Sequence, residues 1–267
     1  MIKRTILQYA VKLIAVLLVV SLFSGCSAGR NTSITDYRQL NSKNMKVGAW
    51  TGSISEGDVK RMLPEAQIVG FNDLLSGYAA VQKGEIDAFA YDRLQMEMAI
   101  RNGLEGVKVL DEDIGGTDIC VAISPKTAIP DLKEKVNQYL KENRDILDDM
   151  YERWSIKSDY DMPDIEEAND PEYHLIVATS GRAEPYTYYK DGELWGYDIE
   201  LAKRFALWIN ADLEFKTYNY DSIIDAALNG EVDCIMANLN VTPERQEVIE
   251  FSDPVCEFVT ALMVRDQ

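Results

Sequence analysis

The residues best suited to chemistry lie in the last third of the chain, in Asn238-Leu-Asn240-Val-Thr242-Pro-Glu-Arg245, running into Phe251-Ser-Asp-Pro254. Arginine presents a planar fork of donors that grips a carboxylate through two parallel N–H bonds, which lysine does not. The stretch follows the apolar run Val232 to Ala237, which reads as a buried strand, and Thr242-Pro243 suits the cap and first position of a short helical turn. Polar groups and one arginine thus stand at the carboxyl end of a strand, where open α/β sheets bind ligands. Taken alone, Arg245 would be an ordinary surface charge, so the rest of the chain has to supply the context.

The composition narrows the chemistry. With 267 residues and 46% hydrophobic content the chain can bury one large or two modest cores. A net charge of -18 argues against nucleic acid as a partner, because binding phosphate needs basic faces. The single histidine, His174, removes most histidine-based catalysis and most zinc sites, and no cofactor or metal is expected. Cys120, Cys234 and Cys256 each fall in an apolar, strand-like run and read as buried small hydrophobes rather than a disulfide framework.

The elements that must position these residues alternate. Residues 1–26 read as a targeting segment, with Lys3 and Arg4 before the uncharged stretch Leu13 to Phe23, short for a membrane span. Polar residues 27–45 read as a tether. From Met45 onward strands at 46–50, 66–71, 86–91, 107–110 and 118–124 alternate with helices at 53–63, 72–83 and 92–102, and two more helices follow at 131–140 and 144–154. An acidic linker with two prolines, 155–171, precedes a second alternation. It has strands at 174–178, 213–218, 232–237 and 258–264, helices at 198–209 and 221–229, and a hairpin about Asp191-Gly192. This βα order predicts mostly parallel sheets with helices on both faces. Gly84-Glu-Ile-Asp87 and Gly230-Glu-Val-Asp233 each join a helix to a strand, so the two halves echo one another.

Several stretches resemble known families. Leu22-Phe-Ser-Gly-Cys26 resembles the lipobox of bacterial lipoproteins, with Phe23 where leucine is usual; the resemblance implies lipidation at Cys26 and anchoring on a membrane surface. Gly196-Tyr-Asp-Ile-Glu-Leu-Ala-Lys203, Asn240-Val-Thr-Pro-Glu-Arg245 with Phe251-Ser-Asp-Pro254, and Lys46-Val-Gly-Ala-Trp-Thr-Gly-Ser53 resemble the bacterial extracellular solute-binding proteins of family 3. The resemblance implies an α/β fold, a two-lobed periplasmic-binding-protein-like clamp of type II, that binds a small amino-acid-like solute and delivers it to ABC permease subunits. It also implies a circularly permuted lobe order. Residues 27–118 look like a tether and the second lobe, 119–154 like the return hinge strand and closing helices, and 172–267 like the first lobe. A truncated tandem pair of incomplete modules is the rival explanation.

Carried over residue by residue, the resemblance implies that Arg245 holds a ligand carboxylate, helped by Asn238, Asn240 and Thr242. Thr51, Gly52 and Ser53 would add donors at a helix N-terminus. Asp92 would pair with an α-ammonium, and Tyr220 would pack over the ligand. Ser180 and Arg182 would lie in the first binding loop, where Ala183 replaces the usual aromatic. Closure around ligand would turn on one covalent crossover, Asp118 to Ser124. The alternatives are a dehydratase of cyclohexadienyl compounds on the same fold, with Glu184 as its acid or base, and a lipid-anchored ligand sensor.

Overall fold

Local chemistry sets the element boundaries. In the computed structural model, which describes residues 33–157 and 161–266, polar caps stand where an apolar run begins. Strand β1 (Lys46–Trp50) leads to α1 (Ile54–Met62), whose Ser53 cap accepts the Glu56 N–H at 3.3 Å. Strand β2 (Gln67–Phe71) leads to α2 (Leu74–Lys83), capped by Asp73, and β3 (Ala88–Asp92) to α3 (Arg93–Arg101), capped by Asp92. Strands β4 (Val107–Val109) and β5 (Gly115–Ile119) follow, then β6 (Ala122–Ile123), α4 (Leu132–Glu142) and α5 (Arg144–Ile156). The second alternation starts at β7 (Tyr173–Thr179). A meander of β8 (Arg182–Ala183), β9 (Thr187–Lys190) and β10 (Glu193–Trp195) comes next, then α6 (Tyr197–Trp208), β11 (Ala211–Thr217) and α7 (Ile223–Asn229). Strand β12 (Cys234–Ile235), α8 (Pro243–Gln246), β13 (Glu250–Phe251) and β14 (Cys256–Arg265) complete the order.

Two larger sheets result. The first runs β2-β1-β3-β14-β4, with β5 also paired to β14; the second runs β11-β7-β12-β6-β13. Strands β1, β2 and β3 are parallel, as are β7, β11 and β12. The expected hairpin is present: Lys190 pairs with Glu193 across Asp191 (φ 53°) and Gly192 (φ 88°), both in the positive-φ conformation that such a two-residue turn requires.

Strand β14 is where the fold departs from expectation. It pairs antiparallel with β3, β4 and β5, so the last strand of 172–267 belongs to the sheet built by 46–119 and not to the sheet of β7. Ala261 to Val264 are all buried, as an unbroken apolar run is when a sheet is covered on both faces. The chain therefore crosses between sheets twice, at 119–122 and at 252–256, and the expectation of a single crossover is corrected. The crossings are themselves zipped together. The Ser252 N–H donates to Val121 O at 2.9 Å, the Val255 N–H to Ile119 O at 2.8 Å, and the Val121 N–H to Ser252 Oγ at 3.0 Å.

The two halves echo in atomic detail. Asp87 donates its N–H to Lys46 O at 2.9 Å and accepts the Lys46 N–H on Oδ2 at 2.8 Å. Asp233 does the same with Ile176, at 2.8 and 2.9 Å. In each case a left-handed glycine, Gly84 or Gly230, ends the preceding helix. Each aspartate thus pins the neighbouring parallel strand, Asp87 at the first residue of β1 and Asp233 at the middle of β7.

Apolar cores lie on both faces of each sheet. Leu40, Val47, Val59 and Leu63 fill one side of the first, and Tyr78, Phe89 and Met96 the other. In the second, Trp154, Leu201 and Phe205 pack beneath α5 and α6, while Ile223, Ile235 and Leu239 fill the opposite side. Each such side chain contributes roughly 1.5–3 kcal/mol on burial. Glu200, fully buried, fixes α5 to α6: it accepts Arg153 Nη2 at 2.7 Å, Arg204 Nε at 2.8 Å and Trp154 Nε1 at 2.7 Å. His174 is half-exposed on β7 between Asp212 and Glu214, at 3.1 and 3.0 Å. Cys120 and Cys234 are buried and Cys256 partly so; all three are free thiols. The targeting segment and Cys26 lie outside the described residues.

Candidate functional site

The Arg245 cluster is built from a cap and a turn. Thr242 Oγ1 accepts the Arg245 N–H at 3.3 Å, and Pro243 occupies the first helical position of α8. This short turn brings the guanidinium back over the chain that precedes it. Arg245 Nη1 donates to Asn240 O at 2.7 Å and lies 3.5 Å from the Tyr220 hydroxyl; the guanidinium carbon is 5.3 Å from the Tyr220 ring centre. Tyr220 in turn donates to Asn238 O at 3.3 Å. Arg245, Asn240, Asn238, Thr242 and Tyr220, separated by up to 25 positions in sequence, therefore form one group. Tyr220, expected over a ligand, supports the arginine.

The two asparagines carry the group's open valences. Asn238 is 5% exposed and Asn240 8%; among the described residues neither Asn238 Oδ1 nor Asn240 Nδ2 has a hydrogen-bond partner. Buried polar atoms of native proteins are nearly always paired, so orphaned ones mark a place for something else. Asn238 sits in the left-handed region (φ 53°), and its N–H donates to Asp198 Oδ2 at 2.6 Å. Burial pushes the Asp198 carboxyl up to about 7, against the lowering effect of that N–H.

The group is tied to the first crossing. Val241 N–H donates to Asp118 O at 3.1 Å, Cys120 N–H to Leu239 O at 3.3 Å, and Thr117 Oγ1 to Val241 O at 3.0 Å. Any movement of the crossing strand is thus felt by the turn that carries both asparagines.

Asp92 stands at the carboxyl end of β3 in the other lobe, 2% exposed. Its Oδ1 accepts the Leu94 N–H at 2.9 Å and its Oδ2 the Tyr186 hydroxyl at 3.3 Å, a bond between the lobes. Burial raises its carboxyl to about 7, against the lowering effect of these bonds. Tyr91, its neighbour, is pushed well up, first by burial and then by the nearby Tyr220 and Asp92. A cavity of about 200 Å³ lies beside Asp92 between α3 and α5, with Arg93, Glu97, Arg101 and Tyr151 among its walls; none of the Arg245 group lines it.

The remaining expected residues are placed less favourably. The Gly52 N–H already donates to Glu56 Oε2 at 2.8 Å, and Lys60 pairs with the other Glu56 oxygen at 2.7 Å. The N-terminus of α1 thus holds its own carboxylate. Thr51 and Gly52 are exposed, and Ser53 serves as the cap. Ser180 is buried at the end of β7, its Oγ 3.4 Å from the Arg182 N–H. Arg182 is exposed and paired to Tyr188 in the meander. Sequence reasoning missed Tyr186 and Asp198. Asp198 could have been found, as an acidic residue in the first turn of the helix after Gly196; nothing local links Tyr186 to Asp92, 94 positions away. Among the described residues no group of His, Cys, Asp and Glu could hold a metal.

Parallel βα units in two sheets and paired crossings between them define a mixed α/β protein of the type II periplasmic-binding-protein kind. Residues 175–267, about a third of the chain, match the bacterial extracellular solute-binding proteins, family 3. An arginine-binding extracellular protein of Bacillus subtilis is 33% identical over 79 residues, 30% of this chain and 31% of that protein. An octopine-binding periplasmic protein of Rhizobium meliloti is 37% identical over 84 residues, 31% of this chain and 29% of that one. A membrane-bound lytic murein transglycosylase F of Desulfosudis oleivorans is 34% identical over 80 residues, 30% of this chain and 17% of the enzyme. The chain spans about three tenths of the length of the first two. The matched relatives are mostly binding proteins.

Proposed function

We propose that this protein binds a small, amino-acid-sized solute bearing a carboxylate, outside the cytoplasm, by closure of its two lobes, and passes it to an ABC importer. One observation carries the reading: Arg245 stands beside two buried asparagines, of which Asn238 Oδ1 and Asn240 Nδ2 have no partner among the described residues. A guanidinium and an amide N–H suit a carboxylate. Closure is supported by the hydrogen bonds from 239–241 to the first crossing and by the Tyr186–Asp92 bond between lobes. Ligand held by both lobes would favour the closed population.

The mature protein is a family 3 clamp in permuted order, and Cys26 is its lipid-bearing residue, which would keep it at the membrane surface. Binding without turnover is favoured over the dehydratase reading, because the matched relatives are mostly binding proteins. The test is a thermal-shift and calorimetric screen of small carboxylates and amino acids, repeated with Arg245→Ala. A ligand that binds the wild type should lose about 30-fold or more in affinity, equivalent to about 2 kcal/mol. Equal binding by both proteins would sink the assignment.

A further inference from the structure

The cation of the proposed site is Arg245, and two buried carboxylates that could answer a ligand's positive charge, Asp198 and Asp92, are already engaged by the protein. Asp198 accepts the Asn238 N–H at 2.6 Å, and it is 3% exposed. Asp92, the expected partner of a ligand's ammonium, gives one oxygen to the Leu94 N–H and the other to the Tyr186 hydroxyl, in a place 2% exposed. What remains open is a donor, Asn240 Nδ2, and a neutral acceptor, Asn238 Oδ1.

Resting on the carboxylate reading above, we infer that the site selects a carboxylate whose neighbouring substituent is a neutral hydrogen-bond donor, such as a 2-hydroxy acid, over the matching 2-amino acid, and that Tyr186 sets this preference by occupying Asp92. The chemistry follows from charge and valence. Arg245 neutralises the carboxylate, and Asn240 Nδ2 supplies a further N–H to it. A hydroxyl beside the carboxylate satisfies Asn238 Oδ1 without importing charge. An ammonium there would meet a neutral amide oxygen, and Asp198 and Asp92 each already accept bonds from the protein, which leaves a desolvated cation poorly countered. To reach Asp92 it would have to displace the Tyr186 hydroxyl.

Calorimetry with matched pairs tests this: lactate against alanine, malate against aspartate, 2-hydroxy-4-methylpentanoate against leucine. In the wild type, the best-bound hydroxy acid should exceed its amino-acid partner by about tenfold or more, and Arg245→Ala should abolish its binding. Tyr186→Phe, which frees Asp92 Oδ2, should move the ratio at least tenfold toward the amino acid. An amino acid that binds the wild type as well as its hydroxy partner overturns the inference, and if Arg245→Ala abolishes that binding the carboxylate reading stands. An unchanged ratio in a folded Tyr186→Phe also overturns it. Should that variant not fold, the wild-type ratio alone decides. Binding of neither class overturns both readings.

Discussion

The backbone N–H of Asn238 donates to the Asp198 carboxylate at 2.6 Å, so the first turn of α6 holds the left-handed turn that carries the site asparagines. The helix that packs the second core thereby also sets the geometry of the candidate site. Removing the acceptor with Asp198→Ala leaves a buried N–H unpaired. Stability in urea should fall by about 2–3 kcal/mol, and ligand affinity should fall with it.

The same carboxyl makes stability depend on pH. Asp92 and Asp198 are both raised from 3.8 to about 7 by burial, so the folded protein binds these protons more tightly than the unfolded chain. Their contribution is complete below about pH 4 and is lost as pH rises through about 7. Asp198→Asn keeps an acceptor but removes one titration. Its melting temperature should decline less steeply than that of the wild type between about pH 4 and 7, by several degrees across the range; parallel curves would refute the assignment.

Glu200 is the most heavily engaged of the buried acids described, joined to Arg153, Arg204 and the Trp154 indole. Glu200→Ala removes the partner of Arg204 and of the Trp154 indole N–H, while Arg153 keeps Asp149 at 2.8 Å, and should cost about 2–3 kcal/mol, read by chemical denaturation. Glu200→Gln should cost less, because it keeps an acceptor for the indole. Near-UV circular dichroism of Trp154 would report the loss of α5 packing.

Two glycines separate backbone from packing effects. Gly57 is exposed inside α1, and a Cβ placed there would have nothing within 4 Å, so Gly57→Ala should stabilise the protein by about 0.5–1 kcal/mol. Gly230 ends α7 at φ 79°, and a Cβ there would lie 3.1 Å from the Lys126 side chain. Gly230→Ala should destabilise by about 1–2 kcal/mol. Opposite signs in one melting experiment are the expected result.

Local chemistry made much of the protein legible in its sequence. The Thr242-Pro243 start of α8, the Asp191-Gly192 hairpin and the glycine ends of α2 and α7 are each fixed by residues within a few positions of one another. The echo of Asp87 and Asp233 was visible as a repeated four-residue pattern, because each aspartate sits at the same helix-to-strand join. The gathering of Arg245, Asn240 and Asn238 was also readable, since one turn contains all three.

Partner choice was decided only by the tertiary structure. An apolar run such as 256–265 is a strand by its own pattern, but nothing within it says which sheet will accept it; β14 lies in the first sheet because β3, β4 and β5 offer it edges there. Asp92 looked open from its position after β3, and only folding brings the Tyr186 hydroxyl to its carboxylate. Glu56 turned back onto Gly52 and filled the helix end that was expected to offer its donors to a ligand. The sequence by itself determined the elements, their caps and the cationic turn at Arg245, since these depend on backbone preferences and short-range bonds. The tertiary structure decided which polar groups stay open, because hydrogen bonds between distant side chains depend on where packing places them.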